Sequence, residues 1–261
     1  MKPFAQKAFI LILLIGLSAC AGSPAPLPTA SLTVPTVAPS PTAIPLYQQV
    51  EIVPNSVEEN GKSPDYTLKV SAPVLTGSDD RRVADFNIKT NAIVQEEVTS
   101  FRKMLEQMTI TPIVLGSSFD LSYALISPPG HLLSLQFNIY VYADGAAHPN
   151  GYTRSFTYDL EKGQEISREQ LFLPGSNYLQ TLADICSAEL TKRDIGYEMF
   201  SDGANPTPEN YSVWNITADG LLITFNAYQV AAYAAGPQVI TIPYAALENI
   251  INPQGPLETY K

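Results

Sequence analysis

Two histidines and two cysteines are the only strong metal ligands or sulfur nucleophiles this sequence offers: His131, His148, Cys20 and Cys186. A catalytic zinc site needs three protein ligands. His131 and His148 stand in unlike contexts and form no pair at helical spacing, so such a site is poorly supported. No Gly-x-Ser-x-Gly elbow is present to raise a nucleophilic serine. No glycine-rich loop is present to cradle a phosphate. A carboxylate pair for glycoside cleavage is assembled in space rather than along the chain, and nothing in the sequence points to one. The expectation is therefore a protein that is not an enzyme and holds no cofactor or metal.

Recognition is the chemistry that remains. His148 lies in a loop of small residues, Tyr142-Ala-Asp-Gly-Ala-Ala-His-Pro-Asn-Gly151. Either its ring is exposed to a ligand, or it bonds to local backbone while Pro149-Asn150-Gly151 makes the bend. Tyr228 and Tyr233 stand five apart among alanines. Exposed tyrosines beside small residues suit an interface; the same pattern suits a tight internal crossing. His148, Asn150, Tyr228 and Tyr233 are the candidate ligand-binding residues. Trp214 is expected in the core rather than as a sugar platform, and Cys186, on the apolar face of a predicted helix, as a buried small hydrophobe.

The N-terminus reads as an address. Lys2 and Lys7 precede the apolar run Ala8–Gly16, and Leu17-Ser-Ala-Cys20 follows. A basic start, a short apolar stretch and small residues make a secretory signal. The last four residues resemble a bacterial lipobox, which implies lipid on Cys20 and cleavage before it. Residues 1–19 are thus expected to be a lipoprotein signal peptide. Residues 20–46, rich in Pro, Thr and Ser, should be a disordered stalk. The expected location is extracytoplasmic, lipid-anchored to the cell membrane.

Beyond the stalk, periodicity predicts elements in runs. A strand is expected at Tyr66–Leu75, then a helix capped by Ser78 and running to about Met108. Strands Phe119–Ser127 and Leu132–Tyr142 turn at Pro128-Pro129-Gly130, and a further strand covers Tyr152–Leu160. Ser176 should cap a helix from Asn177 to about Arg193. A hairpin at Tyr211–Asn226, a strand at Gln238–Ile242 and a short helix at Tyr244–Ile251 close the chain. In Leu132–Tyr142 the alternation argues for one wet face. The fold class expected is α+β: a mainly antiparallel sheet packed with two long helices and a short C-terminal helix. The expected halves are 47–150 and 151–252, with a tail at 253–261.

The net charge is −10. Such a chain repels phosphates, so nucleic acid is excluded as a partner. Acidity also draws in basic partners, although it serves solubility equally well.

Three segments carry a family resemblance: Tyr142–Gly151; Thr157-Tyr-Asp-Leu160 with Gly163 and Leu171–Leu179; and Phe225–Gln238 with Ile242-Pro-Tyr244. Together they resemble the RsiV/PdaC-like extracytoplasmic domain, whose name joins a lysozyme-sensing anti-sigma factor to a peptidoglycan deacetylase. The family pattern has two glycines before Ala-His, where this chain has Gly145-Ala146. The resemblance implies an N-terminal PdaC-like half and a C-terminal RsiV-like half. It also implies a binding module at the cell envelope, with a cell-wall glycan or a wall-active protein such as lysozyme as partner. A peptidoglycan-modifying enzyme, or an accessory domain of one, and a structural envelope protein are the other readings.

Overall fold

A computed structural model describes residues 44–108, 115–193 and 198–258. The expected signal peptide, Cys20 and nearly all of the expected stalk lie outside the described residues. From Ile44 onward the described residues belong to one compact unit.

The strands are β1 (Glu51–Lys62), β2 (Asp65–Thr76), β3 (Ser117–Leu125), β4 (Leu132–Tyr142), β5 (Asn150–Asp159), β6 (Gln164–Glu165), β7 (Trp214–Ile216), β8 (Gly220–Phe225) and β9 (Gln238–Pro243). The helices are α1 (Arg81–Gln107) and α2 (Tyr178–Thr191). Strands β1 to β6 form one sheet in sequence order, and β7 to β9 a second.

The architecture expected from sequence is corrected here. There are two sheets, and the larger is mixed: β2 and β3 run parallel, because α1 carries the chain back between them. The closing segment is a four-residue 3-10 turn, Tyr244–Leu247, not a helix to Ile251. The first strand, β1, was invisible to periodicity. It is an edge strand exposed along most of its length and contains Pro54, so no alternation marks it.

α1 buries Val83, Phe86, Val94, Val98, Phe101 and Leu105 against the sheet. Its N-cap is Asp80 rather than Ser78: the Asp80 carboxylate accepts from Arg82 N at 2.8 Å, while Ser78 Oγ accepts from Asp80 N at 3.2 Å. The side-chain bond from the Arg82 guanidinium, then that backbone bond, holds the Asp80 carboxyl down at about 2. A lowered folded pKa contributes stability that is complete above the reference value of 3.8 and is lost as pH falls towards 2. Denaturant midpoints of the wild type should therefore fall further over that interval than those of Asp80→Asn.

α2 packs Leu182, Ala183, Cys186 and Leu190 into a second core with β7, β8 and β9. Ser176 does not cap it; its hydroxyl is buried without a partner among the described residues, and Asn177 occupies the cap position. Cys186 is fully buried, and burial pushes its thiol up to about 12. Thiol alkylation near pH 8 should leave Cys186 unmodified in the native chain and label it fully in denaturant, as peptide mass spectrometry would read.

The two cores meet over β4. Leu132, Leu133, Ser134 and Leu135 are all buried, so the wet face expected on this strand is dry at its start. The cause is the second sheet. Asn215 Nδ2 donates to Ser134 Oγ at 3.0 Å and to Leu135 O at 2.9 Å. Ser134 Oγ also bonds Thr157 Oγ1 at 2.9 Å and accepts from Ile216 N at 3.1 Å. No described helix is long and apolar enough to cross a membrane.

Candidate functional site

Two loops, one from each sheet, meet at the candidate site. The β4–β5 loop begins with a turn closed by Ala146 N donating to Ala143 O at 2.9 Å. Gly145 takes its left-handed position, at φ +85°. Ala146 has no positive φ, so replacing the second glycine of the family pattern strains nothing here.

The loop after β8 begins with another turn, Gln229 N donating to Asn226 O at 3.0 Å. Its third residue is Tyr228, at φ +70° the only described residue other than glycine with a positive φ. That position in a type II turn ordinarily belongs to glycine. The turn is anchored on both sides. The Asn226 side chain pairs with the backbone of Thr153, accepting from N at 2.8 Å and donating to O at 3.2 Å. Gln229 Nε2 donates to Gly203 O at 3.0 Å and Asn210 O at 2.9 Å.

These anchors bring three sequence-predicted residues together. The His148 ring stacks on Tyr233 with centroids 4.0 Å apart and planes 19° off parallel. His148 lies 6.2 Å from the Tyr228 ring, and the two tyrosine rings are 5.3 Å apart. A carbonyl only accepts, so His148 Nδ1 donates to Pro149 O at 2.9 Å. In the neutral ring, Nε2 then accepts from the Tyr228 hydroxyl at 3.1 Å. Tyr233 Oη donates to Pro149 O at 2.7 Å. Both readings of His148 thus meet in one residue: it bonds local backbone, and it is exposed. Tyr228 is 55% exposed and Tyr233 half-buried, while Val230 and Ala231 between them are buried, so the stretch is surface at Tyr228 and packed in its middle. Asn150 is exposed at the start of β5 and lines a groove with His148 rather than joining the stack.

That groove, about 270 Å³, runs between the loop and α1, with Phe101, Met104 and Val141 among its walls. One of its residues escaped sequence reasoning altogether. Glu97 is 6% exposed on α1, where its Oε1 meets Arg154 Nη1 at 2.5 Å and its Oε2 accepts from the Tyr152 hydroxyl. Arg154 also reaches Glu96 at 2.9 Å. Burial first, then the bond to Glu97, pushes the Tyr152 phenol well above its ordinary range. Two carboxylates share one guanidinium, and of this cluster Glu97 lines the groove. A buried acid in a helix is a weak sequence signal, because only tertiary packing turns it inward.

Trp214 and Cys186 are in the core. His131 and His148 flank opposite ends of β4, roughly 33 Å apart at about 3.3 Å per residue. Among the described residues, no group of three or more His, Cys, Asp or Glu side chains could hold a metal ion.

Comparison with known proteins gives the following. Residues 169–245 match the family described as Protein of unknown function (DUF3298). The chain is 29% identical over 163 residues to the peptidoglycan-N-acetylmuramic acid deacetylase PdaC of Bacillus subtilis, covering 61% of this chain and 35% of that protein. It is 25% identical over 130 residues to the immunogenic protein MPT64 of Mycobacterium tuberculosis, covering 50% and 57%. The chain thus spans between about a third and three-fifths of the length of these curated relatives. A crystal structure of a DUF3298 family member from Bacteroides fragilis shares the fold, with a TM-score of 0.58 at 18% identity over 81% of this chain and 96% of that one. The resemblance to PdaC-like domains read from the motifs is a real relationship.

Proposed function

We propose that this chain is an extracytoplasmic binding module held to the cell membrane by lipid on Cys20. On this reading, the His148–Tyr228–Tyr233 cluster is the face it presents to a wall-active protein such as lysozyme. The observation that carries the reading is Tyr228: an exposed aromatic residue held in a left-handed turn position where glycine would be cheaper. Strain kept at a surface residue points to function. The cluster is pre-organised by its own hydrogen bonds, which lowers the ordering cost of binding. Its aromatic composition matches residues that dominate protein interfaces.

Two further observations support the setting. One relative is named for peptidoglycan, a polymer that lies outside the membrane. The chain carries −10, and Glu97, whose counter-ion Arg154 is shared with Glu96, lines the groove, which favours a basic partner. The test is a titration of the purified chain against lysozyme. Saturable binding at low salt should weaken as salt is raised, and His148→Ala should weaken it further. No retention at low salt would sink the lysozyme reading. For the anchor, Cys20→Ala should release the protein from membranes into the soluble fraction.

A further inference from the structure

We propose that the open edge of β1 pairs with the same edge of a second copy of this chain, antiparallel about a two-fold axis at Asn60. The pairing does not depend on the face described above, which is built from the β4–β5 loop and the loop after β8. β1 is the first strand of its sheet, and β2 is its one neighbour. Such an edge presents a row of unpaired backbone groups. Which residues supply them is settled by β2. Asn87 takes both backbone groups of Leu75, accepting from its N at 2.8 Å and donating from Nδ2 to its O at 3.0 Å. Leu75 therefore has no N–H to exchange with Ile52, which stands opposite. Bonded and non-bonded pairs alternate along an antiparallel ladder. Two residues on, Pro54 meets Pro73, a pair with no N–H to exchange in any case. Ile52, Pro54, Ser56, Glu58, Asn60 and Lys62 thus turn their backbone polar groups outward.

Pro54 closes one end of this edge, because it has no donor to offer. From Ser56 to Lys62 the edge is usable. Outward residues of one copy must face outward residues of the other, so the two-fold axis falls on a residue rather than between two. At Glu58 or Glu59 the axis sets a carboxylate against its own copy, which is destabilising. Closer to Ser56 it brings Pro54 into the ladder, and beyond Asn60 the strand runs out at Lys62. At Asn60 it sets Glu58 against the second copy's Lys62, Lys62 against the second copy's Glu58, and Asn60 against Asn60. Edge charges ordinarily block pairing; this spacing permits it in one register.

The neighbouring side chains suit that register. Glu58 reaches Lys69 only at 3.9 Å, with both side chains exposed, a contact worth little. Asn60 Oδ1 accepts from Thr67 at 3.2 Å, which leaves Nδ2 for the second copy's Asn60. On the other face Glu59 falls opposite the second copy's Gly61, which has no side chain to meet it, and its charge is already matched by Arg102 at 2.8 Å. About six backbone hydrogen bonds and two symmetric ion contacts result. The ladder is too short for a permanent interface. Association of free chains is therefore weak, and it is favoured where chains share one membrane, as the anchor proposed above would arrange.

The experiment is oxidative crosslinking of the full chain carrying Cys20→Ala, whose remaining thiol, Cys186, is buried. Thermal melting of every variant establishes folding. Asn60→Cys places two thiols across the axis at a Cα separation of about 5.5 Å, within disulfide reach. It should give a disulfide-linked dimer at a rate that rises with chain concentration. Ser56→Cys lies on the same edge but roughly 26 Å from its own copy in this register, at about 3.3 Å per residue, and should stay monomeric. Added to Asn60→Cys, Glu58→Lys should slow dimer formation about fivefold or more, because both cross-strand pairs turn from attractive to repulsive. Lys62→Glu should do the same, and the two charge changes together should restore the rate, since the swap recreates both pairs. No dimer from Asn60→Cys, equal crosslinking at Ser56→Cys, or no recovery on combining the charge changes would each overturn the assignment.

Discussion

Phe86→Ala is expected to lower the stability of the chain by about 3–5 kcal/mol, the cost of deleting a buried aromatic ring and leaving a cavity. Phe86 is fully buried on α1. Its ring meets Phe156 edge-on at 5.9 Å and Tyr158 at 5.6 Å. The Tyr158 hydroxyl in turn shares its one proton between Arg82 O at 3.0 Å and Asp85 Oδ2 at 2.9 Å. One ring therefore joins the crossover helix to β5, and β5 is the strand on which Asn150, Tyr152 and Arg154 are mounted. At about 2–4 °C per kcal/mol for a domain of this size, the melting temperature should fall by roughly 6–20 °C. Calorimetry reads this directly; a fall of a degree or two would mean that the helix is not held to the sheet as described.

Tyr228→Gly is expected to do the opposite of a core substitution: change stability little and remove binding. Relief of the left-handed conformation returns about 1–2 kcal/mol. The added freedom of glycine in the unfolded chain takes back roughly 0.5–1 kcal/mol. The bond to His148 is lost as well, so the net change should lie within about 1 kcal/mol of zero. Partner affinity should fall about 30-fold or more, the scale of a central aromatic contact worth at least about 2 kcal/mol. Tyr228→Ala supplies the control. It removes the same ring but keeps the positive φ, so it should bind as poorly as the glycine variant while melting lower. Equal melting of the two variants would show that the turn stores no strain. Undiminished binding by both would move the contact surface elsewhere.

The loop residues were legible before the structure because their types are conspicuous where they stand. A histidine among glycines and alanines, and two tyrosines in an alanine run, stand out without any knowledge of packing. Phe86, Val94 and Leu105 were equally plain, because α1 buries one stripe and a stripe has a period. β1 had no such signature, since an edge strand exposed on both faces buries too little to impose alternation. Glu97 was illegible for a related reason. An acid on a helix is ordinary, and only the packing of α1 on β5 turns this one inward onto Tyr152 and Arg154.

By itself the sequence determined local matters: where apolar faces lie, where glycine permits a turn, which side chains are available for recognition, and the acidity of the whole. Tertiary structure alone decided that β2 and β3 run parallel, that two sheets share the dry start of β4, and that loops some eighty residues apart stack His148 on Tyr233. The physical reason is range. Periodicity and turn chemistry act within a few residues, whereas strand order and loop convergence follow from burying two cores at once, and no short stretch of chain encodes that balance.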